Sequence, residues 1–233
     1  MMAPRRQPAL LKGVIFDFDD TLVNSLETYW RLFNRGVAIC AQPAIDKHAL
    51  GAAIGRGKRL RQVVSEFYPS LTEEEVTACL KEMSRAYDTV AQEFPISLKP
   101  HAKEVLGLLA AMGLRIGLVT ARTRTVAEMW SELEDLAIAG FFGSVVTGKE
   151  LPGKPAPDGV HRCLDELGIK PGESVLVGDT EMDIQAGRSA GVDVILIING
   201  WLERDSVDPA LVLAVIDDLK QLMDYLPVWT RQS

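Results

Sequence analysis

Apolar residues along the chain cluster in two kinds of pattern. Segments 14–18, 115–120, 174–177 and 193–198 are near-continuous runs of Val, Ile, Leu and Phe, and 144–147 is a shorter β-rich stretch. Unbroken runs predict strands covered on both faces, as in a parallel sheet, because a strand with one wet face would alternate. Between them, helical spacing predicts helices over 101–112, 125–136, 157–167 and 183–190. Pro100 and Pro157 stand at two of the entries, and Gly113, Gly140, Gly168 and Gly191 follow the exits, the usual asymmetry of helix ends. Strand–helix alternation implies right-handed crossovers and an α/β fold built on a doubly wound, mostly parallel sheet.

Residues 24–96 break the alternation. They contain no convincing strand, only helical patterns over 26–41, 58–67 and 73–91, and are far longer than the dozen or so residues a simple crossover needs. The expected division is an α/β core of 1–23 and 97–233 with an all-helical cap of 24–96 inserted after the first strand. Such a cap would sit above the carboxyl ends of the strands, where open α/β sheets bind ligands.

The chain has 233 residues, 47% hydrophobic and 24% charged, an ordinary globular composition. Its formal charge of −7 argues against nucleic acid as a partner, since phosphate contacts need clustered Lys and Arg. No apolar run reaches the ~20 residues of a membrane span. Arg5 and Arg6 are followed by no signal-peptide core, as Asp17, Asp19 and Asp20 interrupt the first apolar run. Cys40, Cys79 and Cys163 are few and far apart, so they read as small apolar fillers in a reducing, cytoplasmic setting. The chain is expected to be a monomer or a homodimer.

Acidic residues gather where apolar runs stop. The first run passes into Asp17-Phe18-Asp19-Asp20-Thr21, with Asp17 and Asp19 on one side of an extended chain. Together they could share a hard divalent cation such as Mg²⁺; alternatively, Asp20 and Thr21 cap a following helix. After the run 174–177 comes Gly178-Asp179, with Asp183 four residues on; these carboxylates could join the cation or only complement a helix dipole. The second run ends in Thr120-Ala121-Arg122. Thr120 could donate to a phosphate oxygen or serve as a helix cap. The stretch Gly148 to Pro155 superficially fits a P-loop, but Pro155 replaces the metal-binding hydroxyl and Pro152 removes an amide. What remains is Lys154, a fixed cation between Gly153 and Pro155.

Taken in order, Asp17-Phe18-Asp19-Asp20-Thr21, Thr120, Gly153-Lys154-Pro155, and Gly178-Asp179 with Asp183 resemble the four motifs of the haloacid dehalogenase superfamily. The helical insertion between the first two, Pro155-Ala156-Pro157-Asp158, and the Ala186-Gly187 and Ala190-Gly191 pairs are similar to its phosphoglycolate-phosphatase-like branch. Ala121 stands where that branch often has Asn, and Asp20 where Gly is more frequent. The resemblance implies a Rossmann-like core and a Mg²⁺-dependent phosphatase acting on a small phosphorylated metabolite. Asp17 would be the nucleophile and Asp19 the general acid–base, with Thr120 and Lys154 holding the phosphoryl group. Asp17, the Asp19 carbonyl and Asp179 would bind the metal, and Asp183 would stand close by in an outer shell or act through water.

For substrate recognition the candidates are Thr120, Ala121, Lys154, Arg122 and, from the basic stretch at 56–61, Arg56; the alternative for that stretch is a solvated loop. Tyr29 and Trp30 read as cap core. A sugar-phosphate mutase, a phosphonate hydrolase using Lys47 or Lys58, and a receiver-like phospho-aspartate switch are the competing functions.

Overall fold

The computed structural model describes residues 10–199 and 201–226; Arg5 and Arg6, used above to judge the chain start, lie outside the described residues. The chain enters through β1 (Gly13–Phe16) and β2 (Val23–Asn24). Helices α1 (Leu26–Ala38), α2 (Lys47–Gly55), α3 (Leu60–Phe67) and α4 (Glu73–Glu93) follow, and β3 (Ser97–Leu98) brings the chain back. The next elements are α5 (Ala102–Ala111), β4 (Arg115–Thr120), α6 (Val126–Asp135), β5 (Ser144–Thr147) and α7 (Asp158–Leu167). The chain finishes through β6 (Ser174–Gly178), α8 (Glu181–Ser189), β7 (Asp193–Ile197), β8 (Ala214–Ile216) and α9 (Leu222–Tyr225).

Six strands make one parallel sheet in the order β5-β4-β1-β6-β7-β8. All four residues of β1 are buried, and they alternate between two cores. Val14 and Phe16 pack with Leu106 of α5, Met129 of α6 and Leu222 of α9, while Ile15 packs with Cys163 of α7 and Ile184 of α8. Two covered faces explain the unbroken apolar run. From β1 the chain builds β4 and β5 to one side, then crosses back to β6 on the other. The crevice at this reversal lies beside the carboxyl end of β1.

Helices α1–α4 form their own apolar cluster around Phe33, Val37, Leu50, Val64 and Cys79. Both chain crossings into this helical unit are paired, Val23 with Leu98 and Asn24 with Ser97, as an antiparallel ribbon. The two units also touch at a distance from it. Trp201, from the loop after β7, packs so closely on α2 that a Cβ on Gly51 would lie 2.6 Å from its ring.

Several elements depart from the pattern-based expectation. β1 stops at Phe16 rather than at 18, because the chain turns through Asp20 at φ +53°. β8, β2 and β3 are two or three residues long, below what periodicity resolves. Helix α2 is rich in Ala and Gly and carries no clear apolar stripe; its marker is the Asp46 cap, which accepts from the amides of His48 and Ala49 at 2.9 and 3.1 Å. Cys40 and Cys79 are not isolated fillers: packing α1 on α4 brings their Sγ atoms to 3.7 Å as free thiols, well beyond the ~2.05 Å of a disulfide. Among the described residues, no helix is long and apolar enough to cross a membrane.

Gly117 of β4 lets α7 approach the sheet. A Cβ there would lie 2.2 Å from Cys163 Sγ and 3.0 Å from Leu167 Cδ1. Gly117→Ala is therefore expected to cost about 1–3 kcal/mol by overpacking, lowering Tm by roughly 2–4 °C per kcal/mol in calorimetry. An unchanged Tm would show that α7 can shift freely.

Candidate active site

The parallel register carries Asp17 and Asp179 to the same rim. Phe16 pairs with Val177, so Asp17 is the first residue past β1 and Asp179 the first past β6. The Asp17 amide still donates to the Val177 carbonyl at 2.8 Å, which fixes its backbone. Asp183 is set by the first turn of α8: its carboxylate accepts from the Thr180 amide at 3.1 Å and the Thr180 hydroxyl at 2.6 Å. A Cβ on Gly178 would meet Asp183 Cγ at 2.3 Å, so this approach requires glycine. Asp17, Asp179 and Asp183 are buried, and each offers a carboxylate oxygen within 4.8 Å of the others.

Lys154 reaches into this cluster from the loop between β5 and α7. It is 4% exposed, and its Nζ donates to Asp17 and, at 2.5 Å, to Asp183 Oδ1. Asp179 is held separately, by the Asn199 amide at 2.7 Å and the Thr21 hydroxyl at 3.2 Å. Burial pushes Asp17 up to about 7 against the pull of Lys154, with Asp183 and Asp19 adding to the rise. Burial, then Asp17 and Asp183, raises Asp179 well above the ordinary carboxylate range. Burial alone would lower Lys154, but Asp17 and Asp183 carry it above its usual value. Three carboxylates facing one ammonium leave negative charge uncompensated when all are ionised. Buried hard oxygen donors with surplus negative charge fit a divalent cation.

The remaining candidates occupy distinct places. Thr120, buried at the end of β4, accepts the Arg122 amide at 3.2 Å, which leaves its hydroxyl proton free to donate. Ala121 is exposed and offers no side-chain donor. Arg122 does not present an open guanidinium. It is bonded to Asp19 at 2.6 and 2.7 Å and to Glu132 at 2.7 Å. Arg56 is exposed at the end of α2. Within the same stretch Lys58 pairs with Glu66 and Arg61 with Glu73. Asp20 accepts from the Ser25 amide and hydroxyl at 3.2 Å each, which makes it a turn residue; its positive φ is one Asp tolerates and Gly adopts freely.

Pattern reading missed several contributors. Asn199 sits just beyond β7 on the same rim, and strand-end position was its available signal. Thr21 lies in the first motif but had no assigned partner. Arg59 donates to the carbonyls of Gly153 and Lys154, both at 3.1 Å, tying the cap to the Lys154 loop. Tyr29, read as cap core, has its hydroxyl 3.4 Å from Asp19 Oδ2.

The sequence over residues 14–197 matches the family model described as haloacid dehalogenase-like hydrolase. A phosphoglycolate phosphatase from Rhodospirillum rubrum is 32% identical, covering 92% of this chain and 90% of that one. The phosphoglycolate phosphatase of Escherichia coli is 30% identical, over 90% and 91%. A crystal structure described as a predicted phosphoglycolate phosphatase from Haemophilus somnus superposes with a TM-score of 0.75 at 25% identity, over 93% and 98%. Ordered motifs, the doubly wound core and these similarities lead to one assignment: the chain belongs to the haloacid dehalogenase-like hydrolases.

Proposed function

We propose that this hydrolase is a Mg²⁺-dependent phosphatase that cleaves a small phosphomonoester of the phosphoglycolate type, in the cytoplasm, through an aspartyl-phosphate on Asp17. The observation that carries the reading is the convergence of Asp17, Asp179, Asp183 and Lys154 in one buried cluster. Names of full-length relatives support the substrate class, and three free thiols suit a reducing compartment. A monomer or homodimer is sufficient, because the clustered groups come from one chain.

Mg²⁺ held by Asp17, the Asp19 carbonyl and Asp179, with Asp183 close by in an outer shell or acting through water, would offset the charge of the phosphoryl oxygens. Lys154 and the Thr120 hydroxyl would bind those oxygens, and Lys154 would also hold the Asp17 carboxylate in line. An Asp17 oxygen attacks phosphorus while the ester P–O bond breaks, and Asp19 gives its proton to the departing alkoxide. Asp19 then takes a proton from water as that water attacks phosphorus, releasing phosphate and regenerating Asp17. Arg56, exposed on the cap, is available to the non-reacting end of the substrate, and Ala121 leaves room beside Thr120. A phosphonate hydrolase would need a free cap lysine, whereas Lys47 pairs with Glu27 and Lys58 with Glu66.

Asp17→Asn is expected to lower phosphate release from phosphoglycolate by on the order of 10³-fold or more with the fold retained by circular dichroism. Undiminished turnover would reject the nucleophile. EDTA should abolish phosphate release and Mg²⁺ restore it, whereas full activity in EDTA would exclude a metal route. The raised Asp17 value also sets a stability profile. Because Asp17 ionises near 3.8 in the unfolded chain and near 7 in the folded one, it contributes stability to the cation-free protein that is fully present below about 4 and lost as pH rises through 7. Tm in EDTA should fall over this window, the fall should be shallower in Asp17→Asn, and Mg²⁺ should raise Tm more at pH 8 than at pH 5.

A further inference from the structure

Arg122 is buried where the core meets the cap, and the groups around it come from the segment after β1 and from α1, α4 and α6. Its Nε and Nη2 donate to Asp19 Oδ2 and Oδ1 at 2.7 and 2.6 Å, a fork-to-fork pair. Its Nη1 donates to both oxygens of Glu132, on α6, at 2.7 Å, and to the Tyr87 hydroxyl, on α4, at 3.1 Å. The guanidinium carbon lies 4.7 Å from the Phe18 ring centre and 5.7 Å from that of Tyr29, on α1. The Tyr29 hydroxyl in turn donates to Asp19 Oδ2 at 3.4 Å.

We propose that Arg122 is a positioning residue that sets the plane of the Asp19 carboxylate and makes that plane depend on how the cap is seated. The argument is geometric. Two parallel hydrogen bonds remove the terminal rotation of an aspartate, which one bond from a lysine would leave open. Glu132 supplies a second carboxylate to the same guanidinium, so Arg122 brings no free positive charge toward the phosphoryl group and is a poor substrate clamp. Tyr29 and Tyr87 come from the first and last cap helices, so moving the cap withdraws one donor from Asp19 and one acceptor from Arg122. Asp19 is itself 25% exposed on its side chain, against 4% for Arg122. Asp19 thus keeps contact with solvent, and Arg122 is packed behind it.

This role rests on the phosphatase reading, in which Asp19 delivers a proton to the leaving oxygen. An alkyl phosphate needs that proton; p-nitrophenyl phosphate, whose leaving group is stable as an anion, needs it far less. In single-turnover experiments with Mg²⁺, Arg122→Met should slow the first cleavage of phosphoglycolate by roughly 10–100-fold, a part of the 10²–10⁴ general acid catalysis supplies. The burst of nitrophenolate should stay within about threefold of wild type, and KM for phosphoglycolate should change less than about threefold. Arg122→Lys should not rescue the alkyl ester. The double variant Tyr29→Phe and Tyr87→Phe, which leaves the core ion pairs intact, should show the same selectivity at a smaller loss of about two- to fivefold.

Equal losses on both esters, or a raised KM with unchanged kcat, would overturn the positioning role. If Arg122→Met does not fold, the tyrosine pair decides, and no selectivity there would overturn it. Should wild type cleave neither ester, the phosphatase reading fails and takes this role with it. Wild-type turnover without selectivity removes this role alone.

Discussion

Placing Asp17, Asp179 and Asp183 within 4.8 Å of one another in a buried pocket is electrostatically expensive, since each charge loses water and faces two like charges. The surrounding structure reads as a response to that cost. Lys154 is driven into the cluster and bonded to two of the three carboxylates. Thr180 occupies the second oxygen of Asp183, and Thr21 with Asn199 occupies Asp179. These donors stand at strand ends, in the first turn of α8, or in a loop gripped by Arg59 from the cap. Side-chain donors hold the oxygens in place but bring one positive charge, which leaves the pocket complementary to a cation and to the phosphoryl group a cation would accompany.

The sheet makes this concentration of charge possible. β1 lies inside the sheet, and β4 and β6 flank it in parallel register, so the carboxyl ends of all three strands lie on one rim. Apolar packing on both faces anchors β1 through Val14, Ile15 and Phe16. Stability is drawn from those two cores, and the rim can hold groups that would destabilise a structure with less apolar burial. The helical unit closes over this rim through contacts of different chemistry. The β2–β3 ribbon is a hinge-like covalent junction, Trp201 on Gly51 is an apolar seat, and Arg59 on the Gly153 and Lys154 carbonyls is a polar one. The Asp19–Arg122 pair with Tyr29 and Tyr87 adds a fourth contact, at the residue proposed for proton transfer.

Some features were legible before folding because their cause is local. Unbroken apolar runs mark two-sided burial, and proline and glycine mark helix ends. The long helical insertion stood out because no crossover needs that length. Others were illegible because their cause is contact between distant segments. Cys40 and Cys79 meet only when α1 packs on α4. Arg122 looked like a cation for substrate, since nothing in 120–124 reveals that Glu132, Asp19 and two tyrosines surround it. Helix α2 and the two- and three-residue strands left no period to detect, and their boundaries come from neighbouring chain rather than from their own composition.

By itself, the amino-acid order singled out the candidate residues: carboxylates, a threonine and a lysine, each at or just beyond a strand end or in a loop, in an order that resembles the family's motifs. Only the tertiary structure decided their state. Burial and proximity, which no local stretch encodes, push Asp17 up to about 7 and raise Lys154. The same packing makes Arg122 the partner of Asp19. The physical reason is that residue type fixes what a group can donate, accept or ionise, whereas its desolvation and neighbouring charges exist only once the sheet has brought residues 17, 154, 179 and 183 together.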